Sequence, residues 1–193
     1  MENKIIYVHG LSSSGATASA QNIQALLPQY QVVAPDMPLP PQQALQLLTD
    51  LVAELQPVLV VGTSMGAMFT QQLHGQTKIL INPAFHVSQL MRKNLGTQPF
   101  FNPRKDGVMT FDITPQLCDA YEIMEKHQFD KVTAYDQEHT YGFFGTHDEM
   151  VNCQEEFSRY YPHKVLFEGE HRLNPEVIER DLVPLIQSIL MNS

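Results

Sequence analysis

The chain has 193 residues, with 12 Lys+Arg against 21 Asp+Glu for a formal charge of −9, 43% hydrophobic residues and 17% charged. That balance excludes general disorder, and acids spread along the chain speak against phosphate backbones and anionic membrane surfaces as partners. A chain of this length buries about 70% of the surface its unfolded form exposes, so it needs neither metal nor disulfide to hold it together. Cys118 and Cys153 are too few and too isolated for a disulfide framework or a zinc site, and are expected as reduced thiols. No apolar run approaches the ~20 residues that span a bilayer. Met1-Glu2-Asn3-Lys4 leads into an apolar run without a basic n-region or small-residue cleavage site, so a cytoplasmic protein is expected.

Short apolar runs alternate with helical patterns from end to end. Lys4-Ile-Ile-Tyr-Val-His9, stopped by Gly10, reads as a buried strand. A Ser/Gly stretch follows, then a helix over 18–27 with Ile23, Leu26 and Leu27 at helical spacing. Gln31-Val-Val-Ala34 is the second strand, closed by Pro35. The proline-rich run 35–41 can be neither strand nor helix interior and is a rigid connector. Pro41 then opens a helix over 41–55 with Leu45, Leu48, Val52 and Leu55 on one face. Pro57-Val-Leu-Val-Val-Gly62 is the third strand, unbroken in apolar character as strands buried on both faces are. Lys78–Asn82, Tyr141–Gly145 and Lys164–Glu168 are the fourth, fifth and sixth. Helices are predicted over 66–74, 148–160 and 174–190. The stretch from Phe85 to Asp136 shows no clear strand and reads as an insertion of helices and loop. Its large apolar residues, Phe85, Met91, Phe100, Phe101, Met109 and Phe111, are expected to form a small core of their own.

The alternation predicts a mostly parallel sheet covered on both faces. Directly after the third strand stands Gly62-Thr63-Ser64-Met65-Gly66, a G-x-S-x-G. In this pattern the serine sits on a strained strand-to-helix turn, and the flanking glycines let the backbone pass closely enough to make it. The following helix points its N-terminal N–H groups at the place where an oxyanion develops.

A serine needs a base and the base an orienting group, and on doubly wound sheets these come in the order Ser, Asp or Glu, His. Asp148 follows the fifth strand in Gly145-Thr146-His147-Asp148-Glu149. His171 follows the sixth in Glu168-Gly169-Glu170-His171. Both stand at carboxyl ends of strands, where such sheets build their sites. Near the N-terminus, Gly10 ends the first strand and lets the Leu11 N–H turn inward, so Leu11 and Met65 are the expected oxyanion donors. His9, placed before that loop, suits a structural hydrogen bond better than catalysis. His147 is the competitor for the base, but a neighbour of the acid in sequence projects away from it.

Ile6-Tyr-Val-His-Gly-Leu-Ser-Ser-Ser14, Val61-Gly-Thr-Ser-Met-Gly66, Leu80-Ile-Asn-Pro-Ala84, Gly145-Thr-His-Asp-Glu149 and Phe167-Glu-Gly-Glu-His171 together resemble an α/β-hydrolase, and more narrowly the small bacterial esterases of the YqiA type. The similar segments run in the same order across nearly the whole chain. The resemblance implies a compact hydrolase with few strands, a Ser64–Asp148–His171 triad, no cofactor and hydrolysis of carboxylesters, most readily those of short acyl chains. Glu170 departs from the pattern, since that family tends to have Gly-Gly or Gly-Asn before the histidine, and the 85–136 insertion matches poorly.

The whole chain, 1–193, is therefore expected as one α/β-hydrolase domain with about six strands and a cap-like insertion after the fourth. A small-molecule acyl ester is the expected partner, with no nucleic acid, membrane or metal. Thioester cleavage, acyl transfer and a catalytically silent binding protein are the alternatives. The sequence leaves the oligomeric state open. The charged turn Asn102-Pro-Arg-Lys-Asp106 is expected as a solvated loop.

Overall fold

A computed structural model describes residues 3–191; the first two and last two residues of the expected 1–193 domain lie outside the described residues. The chain opens with β1 (Asn3–Val8), α1 (Ala18–Leu26), β2 (Tyr30–Val33) and α2 (Pro41–Leu55). It continues through β3 (Leu59–Thr63), α3 (Met65–Gln71), β4 (Lys78–Ile81) and α4 (Val87–Arg92). Next come β5 (Gly96–Pro99), β6 (Thr110–Ile113), α5 (Pro115–His127) and α6 (Ala134–His139). The last elements are β7 (Thr140–Gly145), α7 (Gln154–Tyr160), β8 (His163–Phe167), α8 (Pro175–Val177) and α9 (Val183–Met191).

Six strands pair in the order β2-β1-β3-β4-β7-β8, all parallel. The order reverses at β1: the chain goes out to β2 on one side and returns to β3 on the other. Such a switch point opens a crevice at the carboxyl ends of the two strands, where ligands bind on this architecture. Alternate residues serve the two faces. Ile5, Tyr7, Leu59, Val61, Ile79 and Ile81 pack against Ala20 and Ile23 of α1 and against Ile186 and Ile189 of α9. Ile6, Val8 and Val60 pack against Ala44 and Leu48 of α2 and Met68 and Phe69 of α3. Burial on both sides is why these runs read as continuously apolar. The α2 helix starts with Pro41 in its first turn and ends at Gln56, whose left-handed backbone (φ 45°, ψ 61°) precedes Pro57.

Four expectations are corrected. The 85–136 insertion holds an antiparallel hairpin, β5–β6, in register from Gly96 opposite Ile113 to Pro99 opposite Thr110. Only Thr110-Phe-Asp-Ile alternates in burial, and Gly-Thr-Gln-Pro has no apolar face, so pattern alone hides the pair. The insertion also lacks a separate core. Val87, Met91, Phe111, Ile113 and Tyr121 join Val60, Met65, Met68 and Phe69 in one cluster over the sheet. The helix expected from 148 begins only at Gln154, because Asp148 Oδ1 captures the backbone N–H groups of Met150 (2.9 Å) and Val151 (3.0 Å) in a turn. The C-terminal helix is interrupted by a π-helical turn over Ile178–Leu182, in which the Val183 N–H reaches back to the Ile178 carbonyl. Pro184 follows, with no N–H to donate to the carbonyl four residues earlier.

The end of the insertion is pinned beneath β4 by a buried ion pair, Lys78 Nζ to Asp136 Oδ1 at 2.7 Å, both side chains fully buried. Asp136 also accepts from His74 (2.8 Å) and from the backbone N–H groups of Gly75 (3.1 Å) and Thr133 (3.0 Å). Burial alone would raise the Asp136 pKa, but Lys78 and the other donors reverse this and hold it well below the usual carboxylate range. No helix among the described residues is long and apolar enough to cross a membrane.

Candidate active site

Ser64 sits between β3 and α3 with φ 53° and ψ −120°, a strained conformation for a residue with a side chain. Its neighbours make the turn possible. A Cβ on Gly66 would overlap the Val8 carbonyl oxygen and lie 2.6 Å from that of His9, so only glycine lets α3 start against the end of β1. A Cβ on Gly62 would overlap Thr70 Oγ1 and lie 2.6 Å from the Gly66 carbonyl oxygen. Met65 is the first residue of α3, so its N–H has no acceptor within the helix. The loop after β1 runs alongside: a Cβ on Gly10 would stand 3.2 Å from Ser64 Cβ, and half-buried Leu11 comes next.

The expected partners arrive from two other strand ends. His171 Nε2 lies 3.0 Å from Ser64 Oγ, and His171 Nδ1 lies 2.7 Å from Asp148 Oδ2. The side chains of His171 and Asp148 are 11% and 4% exposed, so this relay is shielded from water. Burial pushes the Asp148 carboxyl up, yet hydrogen bonds from His171 and the backbone N–H groups of Val151 and Met150 together hold it below its ordinary value. A carboxylate that accepts at Nδ1 places the imidazole proton there and leaves Nε2 to accept from the serine hydroxyl. The arrangement can activate a hydroxyl as a nucleophile.

The other histidines have different work. His9 is 2% exposed; its Nδ1 donates to the Gly10 carbonyl (2.8 Å) and its Nε2 accepts the Met37 N–H (3.0 Å). Burial lowers its pKa, so it is a neutral tie between the Gly10 loop and the proline-rich connector. His147 bonds Glu168 at 2.5 Å on the surface, turned from Asp148. Glu149 and Glu170 are exposed.

Three features escaped the sequence reading. Asn82, 2% exposed, donates to the Glu170 (3.1 Å) and His171 (3.0 Å) carbonyls and accepts the Gly145 N–H (2.8 Å). A polar residue ending an apolar strand at the same sheet edge was the available signal. Asp36 accepts the Gly15 and Lys105 N–H groups, each at 2.7 Å. The turn expected as solvated is also tied down: the Arg104 side chain is 10% exposed, pairs with Asp106 at 3.0 Å and lies over the Phe100 ring. Beside it, the segment after β5 is stitched to the loop after β1. Phe101 N–H donates to Ser12 O (2.8 Å), Asn102 Nδ2 to Ser13 Oγ (3.0 Å) and Ser14 Oγ to Pro103 O (2.8 Å).

The uncharacterised protein family UPF0227 matches residues 4–187. No curated protein matches the chain in sequence. Among solved structures, Est1E from Butyrivibrio proteoclasticus is similar with a TM-score of 0.65 and 14% identity, covering 98% of this chain and 88% of that one. Mouse alpha/beta hydrolase domain-containing protein 10 gives a TM-score of 0.68 at 12% identity, over 98% of this chain and 90% of its own. A thioesterase domain from the curacin biosynthetic pathway gives 0.62 at 17% identity, over 98% and 91%. At these identities the likeness shows the fold, which is that of the α/β-hydrolases.

Proposed function

The chain belongs to the uncharacterised protein family UPF0227, and from that footing we propose that it is a serine hydrolase acting on short-chain carboxylic esters. The observation that carries the reading is the continuous line Asp148–His171–Ser64, with links of 2.7 and 3.0 Å. Ser64 Oγ attacks the ester carbonyl while His171 Nε2 takes its proton and then returns it to the leaving alcohol. Asp148 keeps the imidazole in the Nδ1–H tautomer and stabilises the cation that forms. The tetrahedral oxyanion is held by the backbone N–H groups of Met65 and Leu11, each donor contributing roughly 3 kcal/mol at the transition state. Water then cleaves the acyl-enzyme, with His171 as base.

No cofactor enters this sequence of steps. The reading takes a small acyl ester as the partner, and the two free, buried cysteines, Cys118 and Cys153, support a cytoplasmic setting. Labelling the purified protein with a fluorophosphonate tests it: wild type is expected to react and Ser64→Ala to stay unlabelled. Labelling that persists in Ser64→Ala, or none in wild type, overturns the assignment.

A second reading, thioester cleavage or acyl transfer by the same residues, is favoured by the likeness to the curacin thioesterase domain. Rates on an oxygen ester and a thioester of the same acyl group, with and without added alcohol, separate the two.

A further inference from the structure

Resting on the serine-hydrolase reading, we propose that Asn82, in the turn Ile81-Asn82-Pro83-Ala84, is a positioning residue that sets the spacing of nucleophile, base and acid. The turn holds the nucleophile's backbone from both sides: Ser64 N–H donates to the Ile81 carbonyl at 2.9 Å, and Ala84 N–H donates to the Ser64 carbonyl at 3.1 Å. Between these two bonds the Asn82 side chain reaches the other two strand ends. Its amide N–H groups donate to the carbonyls of Glu170 and His171, and its carbonyl accepts from Gly145, three residues before Asp148.

Two further observations show a constructed junction. Asn82 adopts φ 41°, a left-handed position that costs a non-glycine residue energy and that asparagine tolerates best. Gly145 is the complementary half: a Cβ there would lie 2.6 Å from the Gly169 carbonyl oxygen and 2.7 Å from that of Glu170. The base loop therefore crosses directly over the end of β7, and Asn82 fastens it there. These three Asn82 side-chain bonds end on backbone groups rather than on a reacting atom, so its effect passes through His171. Displacing a catalytic group by about 1 Å costs on the order of a hundredfold in rate.

Asn82→Gly keeps the left-handed backbone and removes only the amide. Asn82→Asp keeps the shape but turns an oxygen toward two carbonyl oxygens. For both, kcat per fluorophosphonate-titrated Ser64 is expected to fall about a hundredfold while KM stays within about threefold of wild type. Loss of fold alone would lower the number of titratable sites without changing the rate at each, so the per-site kcat separates positioning from stability. A per-site kcat within threefold of wild type in either variant overturns the inference. If neither folds, Asn82→Ser, which retains a single donor, is the deciding variant: about a tenfold per-site loss supports the inference, and one under threefold overturns it. Wild-type protein that neither hydrolyses ester nor takes the label overturns the serine-hydrolase reading instead.

Discussion

Asp148 Oδ2 meets His171 Nδ1 at 2.7 Å while Asp148 Oδ1 is occupied by the Met150 and Val151 N–H groups, so both carboxylate oxygens are engaged and the acid has a fixed orientation. Its neighbour Glu149 is exposed. Asp148→Asn is expected to lower kcat by about 10⁴, as removing the tautomer-fixing carboxylate does in a triad. Glu149→Gln should stay within a few-fold. Steady-state kinetics on a short-chain ester check both, and reversed effects would move the acid to Glu149.

His171→Ala is expected to bring ester hydrolysis to near background. His147→Ala and His139→Ala should keep most of it, since His147 bonds Glu168 and His139 bonds the Tyr135 carbonyl of its own helix at 2.9 Å. Folded His171→Ala protein with activity within about tenfold of wild type would refute the base assignment.

His9→Ala leaves the Met37 N–H without its acceptor in a buried place and is expected to cost about 1–3 kcal/mol of stability. Its effect on kcat should fall far short of that of His171→Ala. Urea unfolding read alongside kinetics distinguishes a tie from a base.

Asp136→Asn breaks the ion pair with Lys78 and leaves a buried ammonium without a counter-charge, at an expected cost of about 3–5 kcal/mol. The sign of the pH dependence follows from the lowered Asp136 pKa. The folded state binds this proton less readily than the unfolded chain, so the carboxylate's contribution is complete above its unfolded value, about 4, and is lost as the pH falls through the folded value. Urea midpoints at pH 7 and pH 3 should converge between wild type and variant as the pH drops.

The six strands were legible because each carries a short apolar run: the central strands β1, β3, β4 and β7 are buried on both faces, while the edge strands β2 and β8 are partly exposed and still show theirs. The hydrogen-bonded line Ser64–His171–Asp148 was legible because each of the three follows such a run in chain order. What pattern could not show depends on contacts between distant segments. The β5–β6 pairing has an apolar face on one strand only, and Asp148's capture of two N–H groups delays a helix whose composition favours an earlier start. Asn82 was visible as a residue but not as a junction, since its partners lie 63, 88 and 89 positions away.

The three bonds between residues 12–14 and 101–103 make the hairpin region and the Gly10–Leu11 loop a single mechanical piece. Phe101 is 63% exposed on that piece, and its ring lies 5.2 Å from the guanidinium of Arg172, the residue after His171. An insertion that contributes no residue to the relay thus braces the loop beside Ser64 and touches the base loop at its far side. Exchanging this segment for another of different shape would alter more than the walls around the site. It would also shift the loop beside Ser64, unless the new segment restored the same stitches to Ser12, Ser13 and Ser14.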